Sequence, residues 1–147
     1  MGDLARLCRK ALAELADQER GGAIFVAREA RAEPVDESLG QAVLDPGCHV
    51  VVGTVDDVVV GFGAGCTEQL RNGQLLGLID EIYVDPEARA VGVGEAMMAE
   101  LLEWFRQCGC AGVDATALPG LRHTKNFFEA SGFSARLLVM HHRMEAP

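Results

Sequence analysis

Apolar residues at the start of the chain recur every three or four positions, which is the spacing of one face of an α-helix. The series begins near Asp3 and comprises Leu4, Leu7, Cys8, Ala11, Leu12, Leu15 and Ala16. It predicts an amphipathic helix. In the next stretch, Ile24 to Val26 fits either a short strand or part of a helix, whereas residues 36–44 predict a short helix that ends before Pro46.

From Cys48 onward the pattern is typical of β-strands. Three runs are rich in β-branched and apolar residues: "CHVVVGTV", "VVVGFGAGC" and "QLLGLIDEIYV". Asp56-Asp57 separates the first two runs, and "RNG" separates the second from the third. Because Asn-Gly is a strong signal for a tight hairpin, we expect the three runs to form an antiparallel meander.

The helical spacing returns after Val84. A long helix is predicted with its buried side formed by Val93, Met97, Met98, Leu101, Leu102, Phe105 and Cys108, and Gly109 is expected to end it. Residues 112–118 predict a strand, residues 121–131 a helix that ends at Gly132, and residues 134–144 a last strand. The order of elements predicts one α/β layer domain over residues 1–147.

Composition narrows the function classes. The chain has 147 residues, of which 49% are hydrophobic, and no apolar run approaches the roughly 20 residues that span a bilayer. The first residues lack the continuous apolar segment of a secretory signal, so a cytoplasmic location is expected. The cysteines have neither disulfide-framework nor zinc-ligand spacing and are expected to be reduced; they are Cys8, Cys48, Cys66, Cys108 and Cys110.

The charge of the chain bears on its partners. A formal net charge of -9 argues against nucleic acid, because phosphate binding depends on clustered Lys and Arg. A cationic substrate fits this charge better.

The stretch "DPEARAVGVGEAMM" places two glycines at the mouth of the long helix. A turn followed by a helix start leaves backbone N–H groups unpaired and pointing in nearly one direction, which favours an anion. Glycine lets a phosphate approach the backbone, and Arg89 adds a charge at the rim. Met97 stands where a dinucleotide-binding fingerprint needs its third small residue, and a P-loop Gly-Lys-Ser/Thr is absent from the sequence.

The spacing Arg-x-x-Gly-x-Gly in "RAVGVG", after "LIDEIYVDP" and before a long amphipathic helix, resembles the acetyl-CoA-binding core of the GNAT superfamily of N-acetyltransferases. The later "NFFEASGF" is similar to that family's second landmark, Phe-Tyr-Glu-x-x-Gly-Phe. The resemblance covers about residues 48–143, with its sharp motifs at about 79–105 and 121–133. It implies a mixed, mostly antiparallel sheet flanked by helices and splayed between the strand ending near Val84 and the strand at 112–117.

The resemblance also implies which residues hold acetyl-CoA, with no metal involved. The loop amides hold the pyrophosphate beside Arg89, and backbone groups of the preceding strand pair with the pantetheine arm. Asn126 and Phe128 of the second landmark complete the implied set. The loop amides are those of Ala90, Val91, Gly92, Val93, Gly94 and Glu95, and the strand residues are Ile82, Tyr83 and Val84.

The implied reaction is direct attack by a primary amine on the acetyl thioester, aided by a base. Asp80 and Glu81 are the candidates, and Glu81 is favoured. Because adjacent strand residues point to opposite faces, at most one of the two is expected to face the cleft, although a bulge alters which one.

One departure from the family pattern concerns the acid that protonates the leaving thiolate. The family's usual Tyr is Phe128 here, which has no proton to give, so solvent or another residue must serve; His123, Tyr83 and Ser131 are candidates. The departure also motivates an alternative function, a coenzyme A-binding sensor or scaffold without transferase activity. A longer acyl donor is a further alternative. The acceptor amine, on a small molecule or a protein, stays open, and the resemblance implies a homodimer paired through the C-terminal strand.

Overall fold

The computed structural model describes residues 1–146 and forms a four-stranded sheet with helices on both faces. Three helices precede the sheet, one long helix crosses between β3 and β4, and one follows β4. The elements are α1 Gly2–Ala16, α2 Gly22–Arg28, α3 Val35–Leu44, β1 Cys48–Val55, β2 Val58–Gln69, β3 Leu75–Val84, α4 Val93–Cys108, β4 Cys110–Ala115 and α5 Arg122–Ala130. The ambiguous stretch at Ile24 to Val26 is therefore helical.

Both hairpins of the meander lie where the turn residues predict them. Asp56 and Asp57 have φ values of 49° and 64°, the left-handed backbone that a two-residue hairpin turn requires. At the second turn the Asn72 side chain accepts a hydrogen bond from the Gln74 amide at 3.0 Å. The turns fix the register of the three antiparallel strands.

The sheet opens between β3 and β4. The strands lie in the order β1-β2-β3-β4, and β4 is parallel to β3 whereas the other pairs are antiparallel. The ladder between β3 and β4 joins Leu75–Ile79 to Cys110–Ala115 and does not continue beyond Ile79. The second half of β3 consequently has a free edge, and the predicted fold, including the splay, is confirmed.

A β-bulge lies where this free edge begins. Gly65 of β2 faces Ile79 and the adjacent Ala64 faces Glu81, so Asp80 has no partner across the β2–β3 ladder. The extra residue shifts the side-chain alternation of β3 by one position. Ile79 packs with α4, whereas Tyr83 packs with α1 on the opposite face of the sheet.

The sheet separates two apolar clusters. On one face, α4 lies across the strands with Met97, Leu101 and Phe105 against a side of β2 that carries only glycines there, namely Gly61, Gly63 and Gly65. On the other face, α1 and α3 cover Phe62 and Tyr83. The predicted buried sides of α1 and α4 are the ones that pack, except that Ala16 of α1 is exposed and Ala5, outside the predicted set, is buried.

The strand predicted over residues 134–144 is wrong, because this segment belongs to no helix or strand. Its apolar residues pair with no strand within residues 1–146, and Leu137 to Met140 are 71–87% exposed. Arg136 holds the start of the segment, because its Nε donates to both carboxylate oxygens of Asp114 on β4 at 2.9 and 3.1 Å. His141 and His142 therefore do not lie in a strand.

The expectation that all cysteines are reduced is wrong for one pair. Cys48 and Cys66 lie directly opposite each other on β1 and β2 and form a disulfide. The cysteines at 8, 108 and 110 are free thiols. The cytoplasmic location stays a prediction, and no helix in the described part of the chain combines the length and the apolarity that crossing a membrane requires.

Candidate functional site

The loop before α4 leaves a run of backbone donors open. Gly92 is the N-cap with φ 86°, Ala90 has φ 69°, and no side chain caps the helix. The first hydrogen bond of α4 runs from the Ala96 amide to the Gly92 carbonyl at 3.1 Å. Within residues 1–146, the amides from Ala90 to Glu95 donate no hydrogen bond to protein. Together with the helix dipole they form a site for an anion.

The two glycines of this loop serve different purposes. Gly92 needs its left-handed backbone, and a Cβ added there would meet no atom within 4 Å, so the space before it is open. A Cβ at Gly94 would lie 3.3 Å from the Phe127 ring of α5. Gly92 therefore fits the predicted role of leaving room for a phosphate, whereas Gly94 permits close packing of α5 on α4.

The free edge of β3 leads to this loop. The Asp85 amide donates to the Val60 carbonyl of β2 at 2.7 Å. Because successive amides of a strand point to opposite sides, those of Ile82 and Val84 point to the free edge, whereas the Tyr83 amide points to β2. The edge thus offers an extended ligand two donors, one fewer than the set of Ile82, Tyr83 and Val84 named from the sequence.

Arg89 is turned toward α1. Its Nε donates to the Val84 carbonyl at 2.9 Å, and its Nη2 lies 3.2 Å from Glu14 Oε2. Its guanidinium carbon is 5.4 Å from the centre of the Tyr83 ring. These contacts brace the loop against α1, and the predicted position of Arg89 beside a phosphate stays a prediction.

A cavity of about 310 Å³ lies on the α3 side of the sheet, next to the bulge. Its wall includes the Cys48–Cys66 disulfide, and its charged lining residues are Glu29, Arg31, Asp45, Asp80 and Glu81. The expectation that only one of Asp80 and Glu81 faces the cleft is wrong, because the bulge brings both adjacent residues to the same cavity. With more carboxylates than cations, the cavity suits a cationic ligand.

Glu81 is fully engaged by protein groups. Its Oε1 accepts from Arg31 Nε at 2.6 Å and also contacts the Arg31 Nη2, and its Oε2 accepts from the Cys8 thiol at 3.3 Å. The Arg31 and Glu81 side chains are only 10% and 15% exposed. Burial and the Glu81 charge raise the pKa of Cys8 to about 12, so the thiol keeps the proton that it donates.

Within residues 1–146, the Asp80 side chain makes no such hydrogen bond or ion pair, and it is exposed to the cavity. Surrounding protein atoms and the nearby Glu81 charge raise the pKa of Asp80 to about 6, against a smaller lowering effect of Arg31. A carboxylate with this pKa is ionised at neutral pH and is a stronger base than an ordinary Asp. Of the two carboxylates, Asp80 is therefore the one that is open to a ligand, and the roles named for Asp80 and Glu81 as a base stay predictions.

A family profile described as "Acetyltransferase (GNAT) family" matches residues 7–133. The chain belongs to this family. Among curated proteins, it is similar to a glucosamine 6-phosphate N-acetyltransferase of Trypanosoma brucei brucei, with 35% identity over 65 residues. That match spans 44% of this chain and 42% of the relative.

Solved structures share the GNAT fold at low sequence identity. A mutant of the BH1408 protein of Bacillus halodurans has a TM-score of 0.82 at 16% identity, covering 96% of this chain and 91% of that one. The protein AAC(6')-Iy, in complex with a bisubstrate analog named CoA-S-monomethyl-acetylneamine, has a TM-score of 0.66 at 20% identity. The coverage there is 78% of this chain and 83% of that chain. The family resemblance inferred from the sequence is confirmed.

Residues 126–130 of the GNAT second landmark lie on α5, and residues 131–133 follow the end of that helix. Phe128 is 7% exposed and packs among Phe127 and Phe133 in the core, whereas Asn126 and His123 are exposed. The Ser131 hydroxyl donates to the Phe127 carbonyl at 3.0 Å. The roles named for Asn126 and Phe128 in holding the cofactor stay predictions.

Tyr83, a candidate acid, faces α1. Its hydroxyl donates to Glu14 Oε1 at 2.9 Å, and burial together with this contact raises its pKa to about 12. It is therefore held as a structural donor away from the free edge of β3. Sequence reasoning missed Arg31 and Cys8 as partners of Glu81, because both lie in helical or connecting segments that carry no motif.

Proposed function

We propose that this GNAT-family chain transfers an acetyl group from acetyl-CoA to a primary amine. The observation that carries the proposal is the free edge of β3 running into the open amides of the loop before α4. The amides of Ile82 and Val84 would hold the pantetheine arm, and those of Ala90 to Glu95 the pyrophosphate. Acetyl-CoA supplies the acetyl group as a reactive thioester.

The cavity beside Asp80 would hold the acceptor. An alkyl ammonium has a pKa near ~10 and must lose a proton before it can act as a nucleophile. The Asp80 carboxylate lies at the bulge where the free edge of β3 begins, and its raised pKa suits it to take that proton. The carboxylates of Glu29 and Asp45 add attraction for a cation. The amino sugars in the names of two similar proteins support an amine acceptor.

The leaving thiolate would take its proton from solvent. Phe128 occupies the family's tyrosine position and lies in the core, and the Tyr83 hydroxyl is bound to Glu14. A thiol with a pKa near ~8.5 is a tolerable leaving group without a positioned acid. The missing tyrosine is therefore compatible with transfer.

The proposal is tested by release of free thiol from acetyl-CoA across a panel of diamines, amino sugars and lysine peptides. We expect turnover with at least one amine and a loss of about 10²–10⁴-fold in kcat/KM for Asp80→Asn. Asp57→Asn, in the exposed turn between β1 and β2 and away from both the acceptor cavity and the cofactor loop, is the matched control for the removal of one carboxylate. Tight binding of coenzyme A without turnover on any amine would instead support a sensor or scaffold.

A homodimer is the second part of the proposal. It is supported by the exposed apolar residues Leu137 to Met140, which follow the Arg136–Asp114 ion pair beside the edge strand β4. Burying such a segment against a second copy would remove apolar surface from water. Light scattering should give twice the chain mass, and Leu138→Glu should give the monomer; a monomeric parent protein would rule the dimer out.

A further inference from the structure

Arg31 joins three parts of the molecule at the wall of the acceptor cavity. It comes from the connection between α2 and α3, its Nη1 donates to the Ser38 carbonyl of α3 at 3.1 Å, and its Nε binds Glu81 of β3 at 2.6 Å. The Cys8 thiol of α1 occupies the other Glu81 oxygen. Glu81 is thereby tied to all of the elements that cover this face of the sheet.

The adjacent Asp80 makes none of these contacts. As the extra residue of the bulge it pairs with no residue of β2, and it lines the same cavity as Glu81. Two neighbouring carboxylates on one strand thus differ in environment: one is neutralised by a buried guanidinium, and the other is open to a ligand. Such a difference in environment is how proteins assign different roles to chemically similar groups.

We propose that Arg31 is a positioning residue, which locks the Glu81 carboxylate in a buried ion pair and so leaves Asp80 as the group on β3 that accepts the proton of the acceptor amine. The role of Asp80 in accepting a proton from the amine rests on the proposed transferase function. The effect of Arg31 on the protonation of Asp80 does not. The charged or titratable groups around Asp80 are Arg31 and Glu81, with Glu29 and Asp45 on the cavity wall, Cys8 beside Glu81, and Glu33 near Cys8.

The ion pair predicts opposite effects for its two partners. Arg31→Gln removes a positive charge and frees Glu81, which should move the protonation midpoint of Asp80 to higher pH. Glu81→Gln removes a negative charge and leaves Arg31, which should move the midpoint to lower pH. The double variant removes both charges and should return the midpoint close to that of the parent protein.

The direct measurement is the carboxyl ¹³C chemical shift of Asp80 as a function of pH in the full chain, assigned by comparison with Asp80→Asn. It needs no substrate and no turnover. Because either single variant leaves an unpaired buried charge, each is first checked for folding, and the double variant together with Arg31→Lys keeps the test available if one does not fold. The double variant and Arg31→Lys are both expected to keep the midpoint of the parent protein, and a clear departure in either one would overturn the inference. A soluble single variant with an unchanged Asp80 midpoint would overturn it as well.

Kinetics supply the second measurement. At a pH above both midpoints, Asp80→Asn should lose about 10²–10⁴-fold in kcat/KM, and Glu81→Gln should lose less, because it leaves the proton-accepting carboxylate in place. The acid limb of the kcat/KM profile should shift in the same direction as the Asp80 midpoint in each variant. An equal loss in Glu81→Gln and Asp80→Asn would overturn the inference while leaving the transferase function intact. Absence of turnover in the parent protein would rule out the transferase function. The ¹³C titration would still show whether Arg31 controls the protonation of Asp80.

Discussion

A negative charge placed at Gly92 should prevent coenzyme A from binding. Gly92 is the N-cap of α4, and the space beyond its Cα is open, so a side chain there would project into the region of the free amides. We compare Gly92→Glu with Gly92→Gln. Both variants carry a side chain of nearly the same shape at φ 86°, so both bear the same backbone strain, of roughly 1–2 kcal/mol.

The difference between the two variants isolates the charge. A carboxylate about 7 Å from one phosphate charge repels it by roughly 2–3 kcal/mol at the effective dielectric constant of about 20 that suits a protein surface. At 1.4 kcal/mol per tenfold, coenzyme A should bind Gly92→Glu about 30- to 150-fold more weakly than Gly92→Gln. The ratio should shrink as salt is added, since exposed charges are screened.

Isothermal titration with coenzyme A measures both affinities, and thermal unfolding without ligand shows whether the two variants are equally destabilised. Equal unfolding temperatures with unequal affinities are the expected result. If both variants bind coenzyme A equally at low salt, the anion does not lie at these amides, and the open donors before α4 have another purpose.

Three further outcomes follow from other parts of the structure. With a pKa of about 6, Asp80 should make kcat/KM fall about tenfold between pH 7 and pH 5. Because the pKa is raised in the folded state, ionisation of Asp80 costs stability as the pH rises from about 4 through 6. Asp80→Asn should therefore unfold at a higher temperature than the parent protein at pH 7.5 but not at pH 4. Tyr83→Phe should leave kcat unchanged and lower the free energy of unfolding by about 1 kcal/mol through loss of the Glu14 hydrogen bond; a selective fall in kcat would restore Tyr83 as an acid. Alkylation of the denatured, unreduced protein followed by mass spectrometry should label only the thiols of Cys8, Cys108 and Cys110, with Cys48 and Cys66 labelled after reduction, and five labels before reduction would rule the disulfide out.

The sequence predicted two kinds of element: turns that depend only on neighbouring residues, and helices with a long, regular spacing of apolar residues. The helix Val93–Cys108 carries more than four turns of regular apolar spacing and a glycine stop, and both hairpins have turn residues that favour left-handed backbone. The glycine loop was found for the same reason, because the free amides of Ala90 to Glu95 depend on a local turn-to-helix geometry. These features need little information from distant parts of the chain.

The pairing of Arg31 with Glu81 was beyond sequence reasoning, because 50 positions separate the two residues and neither has a motif that specifies the other. The preference for Glu81 as the base was formed without knowledge of this partner, and which carboxylate acts as the base stays a prediction. Residues 134–144 show the opposite problem. Their composition favours a strand, but composition does not specify pairing, and within residues 1–146 the segment forms no ladder with the neighbouring edge strand β4.

The bulge at Asp80 also changes which residues of β3 face each layer of helices. Before the bulge, odd-numbered residues such as Ile79 face α4, whereas after it Ile82 faces α4 and Tyr83 faces α1. Deleting a single residue here would therefore exchange the two sides of the strand's second half, turning Tyr83 toward α4 and Ile82 toward α1. A one-residue change in length at position 80 is thus more disruptive than a substitution there, because it reverses the face of the sheet toward which each following side chain points, as far as Val84.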